Sequence, residues 1–231
     1  MIDLYTWTTP NGYKVSILLE ELGLPYTVHN INIGEGDQFD PDYLKISPNN
    51  KMPAIVDQDG PGGQPYSLFE SGAIMMYLAE KHGKFWPQGH PEQYDTIKWL
   101  MWQMGGFGPM LGQAHHFRKY APEQIEYAIN RYTNEAGRLY NVLDKRLGES
   151  EYLGGPTYSI ADMATFPWSR SIERQGHSLD EFANVKRWFE AIDARPAVQR
   201  GLKVPEVQDT PADLSDKARE MMFGSAQYEK R

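Results

Sequence analysis

The chain has 231 residues, no cysteine and a formal net charge of −8. Lacking cysteine, it has no disulfide framework, thiolate nucleophile or zinc–cysteine site of its own, and its acidity argues against nonspecific nucleic-acid binding, which needs clustered Lys and Arg. With 40% hydrophobic residues the chain is rich enough for a sizeable core; no run of about 18 apolar residues and no basic-then-apolar leader in "MIDLYTWTT" point to a cytoplasmic protein.

The first part of the chain alternates strand and helix signals. "IDLYTW" reads as a strand, and residues 12–22 as a helix with Val15, Leu18, Leu19 and Leu22 on one face and Gly23 as its stop. "YTVHNINI" (26–33) predicts a second strand. "PAIVD" (53–57) and "YSLFE" (66–70), around a Gly- and Pro-rich turn, predict a hairpin. A helix follows over 71–81, with Ile74, Tyr77 and Leu78 inward. From about residue 88 the period becomes helical. The firmest element spans 124–147, where Ile125, Ile129, Tyr132, Ala136, Leu139, Leu143 and Leu147 recur at spacings of three and four, and Gly148 is its expected end. Ser159 and Asp162 form an S-x-x-D capping box. Residues 185–196 read as a helix stopping at Arg195-Pro196. These signals divide the chain into an α/β domain (1–86), an all-helical domain (87–202) and a polar tail (203–231) packed partly on the body.

Four features could hold a small charged peptide. In Thr9-Pro10-Asn11-Gly12, polar side chains meet a helix N-terminus, a setting that stabilises an anion; the same residues also suit an ordinary turn capping the helix. If the anion is a thiolate, lowering a thiol pKa by ~2 units requires about 2.7 kcal/mol. One charge-assisted hydrogen bond and a helix terminus together supply that amount. In "NNKMPAIVD" (49–57), a cis bond before Pro53 would turn the Met52 backbone toward a ligand, and Lys51 is either a carboxylate partner or a solvated surface lysine. In "LFESGAIMMYLAEKHG" (68–83), Ser71 is an N-cap without an acid at position 74, leaving helix N–H groups for an external carboxylate, with Glu70 beside it to meet an ammonium; an ordinary capped helix is the alternative. In "WLMWQMGGFGPMLGQAHHFRKY" (99–120), Gly105, Gly106, Gly108 and Pro109 allow a kink or a close backbone approach. His115 and His116 are adjacent and no H-E-x-x-H spacing occurs, so no metal is expected.

Together these motifs resemble the glutathione transferase superfamily over about residues 1–200. "TTPNGYKV", "ISPNNKMPAIVD", "SLFESGAI", "GGFGPMLGQAHHF" and "YSIADM" resemble its nu-class, the bacterial disulfide-bond oxidoreductases related to a fungal prion-forming regulator. The resemblance implies a thioredoxin-like N-terminal domain, an α-helical C-terminal domain, a homodimer, and reduced or oxidised glutathione as substrate with no covalent cofactor. By position, it places Thr9 and Asn11 near the sulfur as catalytic residues, and Gln38 and Lys51 near the glycyl end. It gives Met52 backbone pairing to the cysteinyl part before a cis Pro53, Glu70 and Ser71 the γ-glutamyl clamp, and Arg131 a reach from the partner subunit to a glutathione carboxylate. Tyr5 lies too early to match a catalytic tyrosine, and Asp162 matches a helix-capping acid. The implied activity is glutathione-dependent disulfide reduction, in which one or two bound glutathiones supply the sulfur that the chain lacks. Conjugation of electrophiles is a rival reading, and a glutathione-binding or regulatory protein without turnover is another.

Overall fold

The computed structural model describes residues 1–207 and 214–230, so expectations for 208–213 and for Arg231 lie outside the described residues. These fall into two compact units, Met1–Ile74 with Arg200–Arg231, and Met75–Gln199.

The first unit is built on a four-stranded sheet of order β2-β1-β3-β4. Strand β1 (Ile2–Thr6) runs parallel to β2 (Tyr26–Asn30) and antiparallel to β3 (Ala54–Asp57), which pairs antiparallel with β4 (Tyr66–Phe69). Helix α1 (Pro10–Leu22) joins β1 to β2 and ends where Gly23 takes φ +68°, a left-handed conformation that glycine adopts without side-chain strain. It begins two residues before the expected start, because Pro10 can occupy a first helical position where no N–H is needed. Strand β2 ends at Asn30; Asn32 instead takes part in the turn that leads to a loop, and the backbone N–H of Asn32 donates to Asp37. The short helix α2 (Pro41–Ile46), capped by Asp40, has no counterpart in the sequence expectations. Leu4, Val15, Ile17, Leu18, Leu19 and Ile55 are fully buried, each stabilising the fold by roughly 1.5–3 kcal/mol. Helix α3 (Ser71–His82) follows β4 directly, with Ile74 and Leu78 buried and Tyr77 half-buried.

The second unit is helical: α4 (Glu92–Trp102), α5 (Gly108–His115), α6 (Glu126–Glu149), α7 (Ile160–Ser169), α8 (Ala183–Asp193) and α9 (Pro196–Gly201), the last reaching into the first unit's segment. The expected interruption near Gly105 and Gly106 takes the form of a π-helical turn over Gln103–Phe107, and a second covers His116–Tyr120. Gly108 and Gly112 lie against Trp168, whose ring atoms would meet an added Cβ at 3.3 and 3.1 Å. Two expectations for α6 need correction. Gly148 does not end it; the helix runs on to Glu149, since a glycine with helical neighbours costs only about 1 kcal/mol. The apolar repeat is also not all core: Ala136, Leu139, Tyr140, Leu143 and Leu147 are buried, whereas Ile125 is exposed and Ile129 and Tyr132 are half-buried.

Candidate functional site

In the first unit, Thr9 has extended backbone angles and is the N-cap of α1, with its Oγ1 accepting from the Gly12 N–H at 3.2 Å. The same hydroxyl donates to the Met52 thioether at 3.7 Å. Its acceptor side is thus fixed by the helix, and its proton is held on a weak sulfur acceptor. Asn11 follows in the first turn and is half-buried. A Cβ on Gly12 would sit 2.3 Å from the Trp7 carbonyl oxygen, so no larger residue fits the third helical position, where a capping acid would stand.

Met52 lies just before the β-ladder, whose register starts at Ala54, and the Met52–Pro53 bond is cis. The preceding loop is held firmly: the Lys51 carbonyl accepts from the Tyr43 hydroxyl at 2.8 Å and from Ser47 Oγ at 2.7 Å. Tyr43 is buried, which pushes its phenol up to about 12 and keeps it a donor. Desolvation lowers the Lys51 ammonium below its usual value, and its Nζ donates to Gln227 Oε1 at 2.8 Å. Gln38 is buried and donates from Nε2 to the carbonyls of Ile33 and Met221, at 3.3 and 3.2 Å. Its amide hydrogens therefore face the chain itself.

Glu70 is exposed and has φ +71°, a left-handed conformation costing a non-glycine residue about 1–2 kcal/mol. Its carbonyl accepts from the Ile74 N–H, so Glu70 takes the N-cap position expected for Ser71, and Ser71 opens the helix. The first turn of α3 has no acid. Asn50, beside Lys51, is also left-handed at φ +48°. Strained backbone of this kind clusters at functional sites, and Glu70 carries it on an exposed side chain at a helix N-terminus.

Sequence reasoning missed Lys14. It lies on α1 at 2% exposure, and burial lowers its ammonium to about 7, a fall opposed by the charge of Glu70. A basic residue between Tyr13 and Val15 on a helix buried on nearly all sides was the available signal. Next to the turn, Thr8, Tyr13, Leu202, Pro205 and Val207 line a cleft of about 520 Å³. Tyr5 stacks on His29 with centroids 4.6 Å apart, a packing role. The structure brings Thr9 to Met52 but places Arg131 in the second unit, where it is exposed beside Tyr127, Tyr132 and Arg138 on a concavity of about 620 Å³. Asp162 is buried and accepts from the Leu153 and Ser159 N–H groups, Ser159 Oγ and Trp188 Nε1, as a structural acid does. Among the described residues, no cluster of three or more His, Cys, Asp or Glu could hold a metal ion, and no helix is long and apolar enough to cross a membrane.

Comparison with known proteins identifies the family. The family model for the glutathione S-transferase N-terminal domain matches residues 1–80, and that for the C-terminal domain matches residues 107–196. The chain belongs to the glutathione S-transferase family. Among its relatives, the disulfide-bond oxidoreductase YfcG of Escherichia coli is 51% identical over 214 residues, covering 92% of this chain and 100% of the relative. A glutathione transferase family member from Pseudomonas fluorescens, solved with two glutathiones bound, superposes with TM-score 0.84 at 51% identity, covering 88% of this chain and 93% of that one. One from Pseudomonas putida, solved with one glutathione disulfide per subunit, gives TM-score 0.85 at 47% identity, covering 88% and 91%. The resemblance to the nu-class group thus extends over 85–92% of this chain.

Proposed function

We propose that this protein is a glutathione-dependent disulfide-bond reductase whose reactive sulfurs both come from substrate. The observation that carries the reading is the Thr9 hydroxyl, anchored by the Gly12 N–H and aimed at a sulfur. A thiolate is a far better acceptor than a thioether, so a cysteinyl sulfur arriving beside Met52 would take that hydrogen bond. The Asn11 amide adds a donor and the α1 N-terminus its dipole, favouring the ionised thiol at neutral pH. The thiolate then attacks one sulfur of a disulfide: a new S–S bond forms, the old one breaks, and the leaving thiolate takes a proton. A second glutathione repeats the exchange, so two glutathiones are oxidised to glutathione disulfide and one substrate disulfide is reduced to two thiols.

In this reading Glu70 meets the γ-glutamyl ammonium while Ser71 and the α3 N-terminus take its carboxylate. Met52, with Pro53, pairs the cysteinyl backbone, Lys51 takes the glycyl carboxylate, and Gln38 supports that end. Arg131 reaches the ligand from the second subunit of a homodimer. The cytosol, with its reduced glutathione pool, is the fitting compartment. The decisive assay is glutathione-driven reduction of 2-hydroxyethyl disulfide beside conjugation of 1-chloro-2,4-dinitrobenzene on one preparation. Strong reduction with weak conjugation is expected. Dominant conjugation would favour the transferase reading, for which the cleft at Thr8 and Tyr13 offers an electrophile site. Binding of glutathione without either activity would leave a regulatory protein.

A further inference from the structure

The C-terminal segment returns to the loops that present Gln38 and Lys51. Helix α10 (Asp216–Phe223), capped by Ser215, lies along the loop after β2. An added Cβ on Gly34 would sit 3.2 Å from Ala218 Cβ, and one on Gly36 3.0 Å from Met221 Sδ, so the two glycines form a seat that the tail fills. Lys217 pairs with Glu35 across that seat. Gln38 Nε2 reaches the Met221 carbonyl, and Gln38 Oε1 is sealed off without a hydrogen-bond partner. The chain then turns, with Ala226 buried, and Gln227 Oε1 accepts from Lys51 Nζ while Gln227 Nε2 donates to the Met221 carbonyl.

We propose that the segment Asp216–Tyr228 is the wall closing the glycyl end of the glutathione site, with Gln227 as the positioning residue for Lys51. The site would then accept thiols and disulfides whose peptide ends at a free glycyl carboxylate and discriminate against those extended beyond it. This rests on Lys51 being the glycyl-carboxylate partner. Both ends of Lys51 are fixed: Tyr43 and Ser47 hold its carbonyl, and Gln227 holds its ammonium. A neutral amide is the suitable holder, because it orders the ammonium without cancelling the charge that a carboxylate needs. The acid of α10 closest in sequence to this contact, Glu220, is turned to Ser225 Oγ and the Ala226 N–H, which keep it ionised and occupied. An ammonium held in place loses less rotamer freedom when a ligand arrives, a gain of about three- to tenfold in affinity.

The test compares glutathione with γ-glutamyl-cysteinyl-glycyl-glycine as reductants in the intact protein, in Gln227→Ala, in Gln227→Glu and in a chain ending after residue 213. Tail docking is followed separately by hydrogen exchange of residues 216–228. The intact protein should favour glutathione. Gln227→Ala should raise the glutathione KM about three- to tenfold with kcat unchanged, since the sulfur end is untouched. Gln227→Glu should keep the tail docked yet raise KM further, by competing for the ammonium. The truncated chain should lose its preference between the two peptides. If the intact protein uses glutathione, but truncation and both Gln227 variants leave KM and preference unchanged, the wall is overturned and the glutathione reading stands. If the intact protein neither binds nor uses glutathione, both fall.

Discussion

Helices α1 and α7 both open on a small hydroxyl residue in extended conformation, and the two openings have opposite chemistry. At α7, Ser159 and Asp162 cap each other reciprocally, and Asp162 gathers four hydrogen bonds in a fully buried setting. The chain supplies its own anion there, and the helix N-terminus has nothing left to offer. At α1, Thr9 caps Gly12, but no acid stands in the first turn and the close approach of Gly12 to the Trp7 carbonyl forbids one. Helix α3 repeats that pattern, with Glu70 in a left-handed turn and no acid in its first turn. In the proposed reading these two openings are the ones left for a ligand's anion, because the chain places no acid of its own in either first turn.

The contrast can be broken at four places. Asp162→Ala should produce the largest effect, a loss of about 3–5 kcal/mol of stability, because four buried donors lose their acceptor together. Denaturant unfolding would measure it, and turnover per folded molecule should stay within about twofold of the parent. A loss below about 1 kcal/mol would show that the sealed opening is not structural.

Lys14→Met comes next. In the fold Lys14 holds its proton only up to about pH 7, against 10.5 in the unfolded chain. Between those values the unfolded state carries the extra proton, so stability attributable to Lys14 rises with pH, and below 7 the full penalty of burying the cation remains. The variant should therefore be more stable than the parent by on the order of 3 kcal/mol at neutral pH and below, with the gain fading toward pH 10. Urea midpoints of the two proteins across that range would decide it; a pH-independent difference would assign the effect to packing.

Thr9→Ala and Ser159→Ala form the third comparison. Each should cost about 1 kcal/mol as a lost cap. Only Thr9→Ala, and with it Asn11→Ala, should lower disulfide-reductase turnover by about tenfold, equivalent to roughly 1.4 kcal/mol of transition-state stabilisation. Near-parental turnover in both Thr9→Ala and Asn11→Ala would remove that turn from the mechanism. Glu70→Gly is the smallest in stability, within about 0.5 kcal/mol, because relief of the left-handed strain offsets the added freedom of glycine in the unfolded chain. Its glutathione affinity should nevertheless fall, read by isothermal titration; unchanged affinity would show that the strained carboxylate has no ligand to meet.

The order β1-α1-β2-β3-β4-α3 and the α7 capping box were legible in the sequence because each is specified locally, by apolar period and by cap or turn residues within a few positions. Helix α2 escaped because six residues make too short a period, although Asp40 before Pro41 was a usable start signal. The exposure of Ile125 escaped because a helical period does not reveal how much of it is covered. At the site, Thr9, Asn11, Met52 and Glu70 stood out as types in a pattern, whereas the burial of Lys14 and the positive φ of Glu70 are set by packing. The docking of Gln227 on Lys51 and of Met221 on Gln38 spans 176 and 183 residues, a separation no local pattern encodes.

The contact between Thr9 and Met52 has a consequence for oxidative damage. A protein without cysteine is spared sulfenic acids and stray disulfides, yet a sulfur still stands at its helix opening. One oxygen atom would turn the Met52 thioether into a sulfoxide, changing a weak acceptor into a strong one that retains the Thr9 proton. The vulnerability has moved from a nucleophile that can overoxidise irreversibly to a side chain whose first oxidation product is enzymatically repairable.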